Sequence, residues 1–219
     1  MTTAKIRISI KQNNIAVSMI ETARYNQAIY ILKAAIQKFK NELRSEVVQE
    51  FHSEPCSAMI HHLILQSASG RIDNGDSSDE SGFLYDKAVF IPQKVSLETH
   101  IAFNAVSSIL LFNLALALQL KANATKADLS RKDSCFVNSM SMYQLVMALN
   151  GSSGLLSMVV LNNVGLIHRE YKDHEKEKEC FDRLLAMWRV SPVRAKDLEG
   201  MFYNAMRWHN TSALPAAAA

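Results

Sequence analysis

The chain has 219 residues, of which 48% are hydrophobic and 21% are charged, and its formal net charge is +3. A composition this apolar is typical of a folded globular protein and excludes a disordered chain. The small net charge gives no indication of the dense basic face that nucleic-acid binding requires, so we expect no nucleic-acid partner. Glycine and proline are scarce, at 7 and 4 residues, which favours long helices over a sheet with many turns.

The cysteine pattern and the N-terminus both bear on the compartment. Cys56, Cys135 and Cys180 are far apart and odd in number, which is typical of free thiols in a reducing environment. The first residues contain no apolar run long enough for a secretory signal. We therefore expect a cytoplasmic protein that needs no cofactor.

The first third of the chain begins with a helical pattern and then loses it. Lys5–Ile10 alternates, as in a short strand or the lead-in to a helix, and residues 12–50 show two apolar faces at helical spacing, which predicts a helix pair. Residues 51–96 read as a loop-rich insertion. Within it, Ala58–Gln66 and Phe83–Ile91 are apolar runs, either strands or short helices, around a polar flexible loop at Arg71–Ser81.

The central stretch Ile101–Leu120 carries no charge and is apolar nearly all round a helix, so it must be buried in a protein core or in lipid. Its length would span a bilayer. However, polar side chains that are costly in hydrocarbon interrupt it. These are Asn104, Ser107, Ser108, Asn113 and Gln119. We interpret it as the core of a helix over about Leu97–Lys121 and expect no membrane span.

The rest of the chain predicts a linker, further helices and a tail. A polar linker at Asn123–Asp133 precedes a returning helix at Phe136–Leu149, which completes a pair over 97–149. A third helix pair follows over 153–190, and a capping helix over 192–208. Residues 210–219 read as a disordered tail.

Small residues lie midway along the first helix of each predicted pair, at Ala16, Ala115 and Gly165. The second helices carry bulky residues flanked by small ones, although Glu177 and Leu184 depart from this. This pattern resembles the tetratricopeptide repeat, and the layout also resembles repeat-like proteins of eukaryotic algae that bring no known activity. The resemblance implies an all-α solenoid of antiparallel helix pairs in one domain over residues 1–209.

The same resemblance points to three asparagines. Asn14, Asn113 and Asn163 occupy equivalent places in the first helices, which line the concave groove in that family. There an amide can bond the backbone of an extended peptide, because it offers donors and an acceptor together. Alternatively, these amides tie neighbouring helices together.

Charged positions that would bind a chaperone's C-terminal carboxylate are absent from the same helices. Asn13, Val17, Asn162 and Leu166 stand where the family places its cations and asparagine. We therefore expect no chaperone-tail binding.

Other reactive side chains give no site. His52, Cys56, His61 and His62 match no zinc spacing, so we expect no metal site. His168, Cys135 and Cys180 lack the local signatures of a nucleophile and its base.

The sequence thus predicts a non-enzymatic interaction module, an adaptor or scaffold that binds a partner protein or extended peptide. Two alternatives stay open. One is a structural subunit that buries its apolar central helix against another chain, and the other is an enzyme that uses the histidine and cysteine residues.

Overall fold

The structure, a computed structural model, describes residues 3–43, 54–69, 84–93, 99–125, 128–150, 154–191 and 199–212. These residues form eight α-helices and no strand. The helices are α1 (Thr3–Glu21), α2 (Tyr25–Leu43), α3 (Glu54–Ser69), α4 (Thr99–Ala124), α5 (Leu129–Asn150), α6 (Leu155–Glu170), α7 (His174–Val190) and α8 (Glu199–Ser212). The predicted all-α class is confirmed for this part of the chain, while the solenoid arrangement stays a prediction.

The helices divide into two compact units. Unit 1 comprises Met1–Ser67 and Asp86–Ser152, and unit 2 comprises Ala68–Tyr85 and Ser153–Ala219. In unit 1, α1 packs against α2 and α4, α2 packs against α4, and α4 packs against α5. In unit 2, α6 packs against α7, and α8 packs against both. The helix pairs predicted from the sequence are therefore packed pairs, and they are distributed over two units.

Helix α4 supplies much of the core of unit 1. It is long and apolar enough to cross a bilayer by length and composition, but 78% of the apolar 18-residue stretch within Asn104–Ala124 is buried inside the structure. Two of its polar groups have partners on α5. The Tyr143 hydroxyl donates to Gln119 Oε1 at 2.9 Å, and Ser139 Oγ donates to the Ala115 carbonyl at 2.7 Å. Most of the surface of α4 is therefore buried against other parts of its own chain.

The linker predicted at Asn123–Asp133 is wrong over most of its length, because α5 begins at Leu129 and not at Phe136. Asp128 starts the helix: its Oδ1 accepts a hydrogen bond from the Arg131 backbone N–H at 2.9 Å. An aspartate in this position satisfies one of the free N–H groups of the first turn. Helix α5 therefore begins about two turns earlier than the sequence predicts.

The other predicted segments either belong to helices or lie outside the described residues. Lys5–Ile10 belongs to α1, and Ala58–Gln66 belongs to α3, so both open alternatives resolve as helix. The loop predicted at Arg71–Ser81 and the start of the capping helix near Pro192 lie outside the described residues. Of the predicted tail, residues 210–212 belong to α8.

The small residues predicted at close helix contacts are buried. Ala16 and Ala115 are fully buried in unit 1. In unit 2, a Cβ atom added to Gly165 would lie 3.0 Å from Cζ of Phe181. Only a residue without a side chain lets α6 and α7 approach this closely without moving the ring.

Glu177, on α7, is buried although it carries a charge. Arg169 Nε donates to Glu177 Oε1 at 2.7 Å, and His174 Nδ1 lies 3.4 Å from Glu177 Oε2. A carboxylate tolerates this burial because the guanidinium neutralises it. Glu177, which stands where the tetratricopeptide repeat usually has alanine, therefore forms a buried ion pair here.

The turns of the pairs α1–α2 and α6–α7 correspond at an offset of 149 residues, because α1 and α6 end, and α2 and α7 begin, at positions 149 apart. Two residues after the end of each first helix lies a non-glycine residue with a left-handed backbone, Ala23 at φ 55° and Lys172 at φ 56°. The next residue in each turn donates a backbone hydrogen bond five positions back, Arg24 to Met19 and Asp173 to His168. This helix ending is a Schellman motif, whose left-handed position glycine usually fills.

We expect Lys172→Gly to stabilise the protein by about 0.5–1 kcal/mol, because glycine adopts the left-handed conformation without the strain that a side chain causes. The matched control is Tyr171→Gly, at a right-handed φ of −81°, which should destabilise instead. Urea unfolding of the three proteins measures the difference. A loss of stability in Lys172→Gly would contradict the assigned turn.

Candidate functional site: two asparagine clamps on an extended segment

Residues 84–93 form neither a helix nor a strand. Three of them, Tyr85, Val89 and Ile91, each direct both their backbone N–H and their own C=O to the side chain of one asparagine. A residue whose two backbone groups point the same way is extended, as in the hydrogen-bonded pairs of antiparallel strands. The run predicted as strand or short helix is thus an extended segment whose backbone partners are side chains.

Asn113, on α4, binds the backbone of Val89. Its Oδ1 accepts from the Val89 N–H at 2.8 Å, and its Nδ2 donates to the Val89 carbonyl at 2.9 Å. Both residues are fully buried. Asn113 therefore satisfies a backbone donor and acceptor that no water reaches, which would be costly if left unpaired.

Asn14, on α1, binds the residue two positions later in the same way. Its Oδ1 accepts from the Ile91 N–H at 3.1 Å, and its Nδ2 donates to the Ile91 carbonyl at 2.7 Å. The spacing of two matches an extended chain, in which the backbone groups of alternate residues lie on the same edge.

Asn13 joins these two asparagines into one network. Its Oδ1 accepts from Asn113 Nδ2 at 2.8 Å, and its Nδ2 lies within bonding distance of both Asn14 Oδ1, at 3.2 Å, and the Val89 carbonyl, at 3.0 Å. We call Asn13, Asn14 and Asn113 the first clamp. Each amide orients the next, so the three side chains present a fixed row of donors and acceptors.

Unit 2 contains a second clamp, Asn162 and Asn163, on α6. Asn163 Oδ1 accepts from the Tyr85 N–H at 3.2 Å, and Asn163 Nδ2 donates to the Tyr85 carbonyl at 3.0 Å. Asn162 Nδ2 donates to Asn163 Oδ1 at 3.0 Å. Asn204, on α8, donates to Asn162 Oδ1 at 2.7 Å.

In unit 1 the opposite edge of the extended segment meets α3. The Phe90 N–H, which points away from the first clamp, donates to Ser67 Oγ at 3.2 Å. The Ser67 hydroxyl in turn donates to the Leu63 carbonyl at 2.8 Å. Phe90 itself is 47% exposed, whereas Val89 and Ile91 are buried. The segment is thus held on both edges, with its alternate side chains inside.

The chemistry of the clamps is recognition of backbone. A primary amide has one acceptor oxygen and two donor hydrogens, so it copies the edge of a neighbouring strand. Because the contacts go to backbone groups, they specify an extended conformation and exclude proline at each bound position, since proline lacks the N–H. Side-chain preference comes instead from the buried surroundings of Val89 and Ile91.

All three asparagines named from the sequence, Asn14, Asn113 and Asn163, contact extended backbone, which here belongs to the chain itself. Sequence reasoning missed the bridging role of Asn13 and Asn162. The sequence feature that marks this role is the Asn-Asn pair, present at both 13–14 and 162–163. In the sequence analysis Asn13 and Asn162 stand only for the absence of a chaperone-binding pattern. Asn204 carries no such signal, because alanine and not a second asparagine follows it in the sequence.

The histidine and cysteine candidates form no reactive arrangement among the described residues, where no group of three potential metal ligands occurs. His52 lies outside these residues. Burial raises the pKa of the Cys180 thiol to about 11, so it is protonated and a weak nucleophile at neutral pH. Burial also lowers the pKa of His168, against the opposing effect of Asp173, whose Oδ2 lies 3.7 Å from Nδ1.

We expect Asn113→Leu, which keeps the branched shape and removes the amide, to destabilise the protein by about 3 kcal/mol. The substitution leaves the buried Val89 N–H and Asn13 Oδ1 without a partner, while the Val89 carbonyl keeps its hydrogen bond from Asn13 Nδ2. Asn138→Ala, at an exposed asparagine of α5, is the matched control and should change stability by less than about 0.5 kcal/mol. Urea unfolding measures both, and equal effects would show that the Val89 contacts contribute nothing.

No protein-family model matches the chain, and no curated protein or solved structure is significantly similar to it. What the two clamps bind is therefore inferred from their geometry.

Proposed function

We propose that this protein is an interaction module that binds an extended segment of a partner protein through its asparagine clamps. The observation that supports this is the pairing of a single side-chain amide with both backbone groups of one residue, at Val89 and again at Ile91. Such pairing depends on the backbone alone, so any chain that is extended and free of proline at those positions offers the same groups.

Residues 86–93, which occupy the first clamp in the structure and which we call the resident segment, indicate the chemistry of the partner. Val89 and Ile91 are β-branched, two residues apart and fully buried, while Phe90 between them is half exposed. We therefore propose an extended partner segment with aliphatic residues at the two clamped positions and a tolerant position between them. Pro92 follows the last clamped residue, so proline is accepted directly after it.

The resident segment also competes with a partner segment for the first clamp. A segment tethered in the same chain acts at about millimolar effective concentration. The apparent affinity for a partner is therefore the intrinsic affinity multiplied by the small fraction of molecules whose clamp is empty. The partner therefore displaces residues 86–93 in unit 1, and the segment regulates binding by occupying the clamp. We retain the tetratricopeptide-like arrangement as part of this proposal, supported by the matched pairs α1–α2 and α6–α7.

The test weakens the resident segment and supplies it as a separate peptide. Val89→Asp places a carboxylate where the native side chain is fully buried, which disfavours the resident segment. A fluorescein-labelled peptide of sequence DKAVFIPQ, residues 86–93, should bind Val89→Asp at least about 10-fold more tightly than the native chain, as measured by anisotropy. Equal affinity for the two proteins would contradict displacement.

Two controls show that the peptide uses the clamp. A peptide N-methylated at its valine lacks the N–H that Asn113 accepts, and should bind about 10-fold more weakly. The complex should have the mass of one chain and one peptide by light scattering, since a doubled mass would indicate exchange between two copies. If Val89→Asp does not fold by circular dichroism, the nearly isosteric Val89→Thr replaces it.

A further inference from the structure

The outer surface of the helix pair α1–α2 is basic. Over residues 6–38 five side chains are cationic and one, Glu21, is acidic, and all six are exposed. The cations are Arg7, Lys11, Arg24, Lys33 and Lys38. Since the net charge of the whole chain is only +3, its positive charge is concentrated here. Arg7 and Lys11, both on α1, form no ion pair with another residue of the part of the chain that the structure describes.

The first clamp shows in which direction the bound chain crosses α1. Asn13 Nδ2 donates to the Val89 carbonyl at 3.0 Å, and Asn14 binds Ile91, two residues later. Successive residues of an α-helix are rotated by about 100° around its axis, so the chain advances around α1 from Asn13 towards Asn14. This direction leads out of the core, because Asn13 is fully buried and Asn14 is half-buried.

The same direction around α1 leads on to Arg7 and Lys11. Arg7 lies about 20° beyond Asn14 and two turns nearer the start of the helix, and Lys11 lies about 60° beyond it and one turn nearer. One turn rises about 5.4 Å, a distance that the flexible four-carbon stem of a lysine side chain covers. Glu21 lies at the opposite end of α1, about two turns from Asn14. A chain that leaves the clamp therefore meets a cationic side of α1.

The resident segment makes no use of these cations, because Pro92 and Gln93, which follow Ile91, carry no charge. We propose that Arg7 and Lys11 bind acidic side chains of the partner that follow its second clamped residue. The partner is thus an extended protein segment in which two aliphatic residues, two positions apart, precede a short run of aspartate or glutamate. This inference rests on the proposed function and names what distinguishes the partner from the resident segment.

The charge complementarity gives the partner an advantage in its competition with the resident segment. The clamp contacts go to backbone groups, which are the same in both segments, so they favour neither. Each ion pair at an exposed surface is weak, but two cations beside an acidic run act together and also speed the encounter. The asparagines therefore hold any extended chain, and the cations of α1 select among such chains.

The test compares two fluorescein-labelled peptides, DKAVFIPQQQ and DKAVFIPEEE, on the Val89→Asp protein, or on Val89→Thr if the former does not fold. At low salt the acidic peptide should bind about 5-fold more tightly than the neutral one, as measured by anisotropy. In about 0.5 M NaCl this ratio should fall below about 2-fold, because salt screens exposed charges. If both peptides bind equally at low salt, this inference is wrong while the proposed function stands. If neither binds, both are wrong.

Two double variants of equal net charge locate the attraction on the protein. Arg7→Gln combined with Lys11→Gln should reduce the ratio of the two affinities to below about 2-fold. Lys33→Gln combined with Lys38→Gln, at exposed positions of α2, removes the same charge and should leave the ratio near about 5-fold. A ratio that falls equally in both variants would show attraction by overall charge alone and would overturn the assignment of Arg7 and Lys11.

Discussion

The structure of unit 1 depends on one constraint, the need of a buried extended backbone for hydrogen-bond partners. A buried strand normally finds them in a neighbouring strand. Here the Val89 and Ile91 backbone groups meet helices, whose own backbone groups are already paired within each helix. Side-chain amides fill the gap, because an asparagine provides both the donor and the acceptor that a missing strand would have supplied.

This constraint explains why the asparagines are buried in an apolar helix at all. Asn113 interrupts the most hydrophobic stretch of the chain, and an unpaired amide there would be costly. The extended segment and Asn13 supply its partners. The helices and the segment therefore depend on each other: without the segment, α4 carries an orphaned polar group, and without the asparagines, the segment has orphaned backbone.

Much of the helical framework was predictable from the sequence, because it follows from local patterns. The apolar periodicity gave the helix pairs, and the small residues Ala16, Ala115 and Gly165 marked buried positions. The start of α5 was missed because a capping aspartate outweighed the polar composition around it. The ion pair of Glu177 was missed because its partner, Arg169, lies on another helix, and a sequence pattern does not show which side chains meet.

The clamp was predictable only in part. The sequence identified three asparagines suited to bind extended backbone, but residues 84–93 carried no signal that they are the chain bound there. That contact links positions about 77 residues apart, such as Asn14 and Ile91, and depends on tertiary packing. The same limitation hid Asn204, whose hydrogen bond to Asn162 joins residues 42 positions apart.

The most direct test of this account is the hydrogen bond between Asn113 and Val89 in solution. Nuclear magnetic resonance detects such a bond as a scalar coupling between the Val89 amide nitrogen and the side-chain carbonyl carbon of Asn113. The account predicts this coupling, together with slow exchange of the Val89 amide hydrogen. A Val89 amide that exchanges as fast as in a free peptide, with no coupling to Asn113, would contradict it.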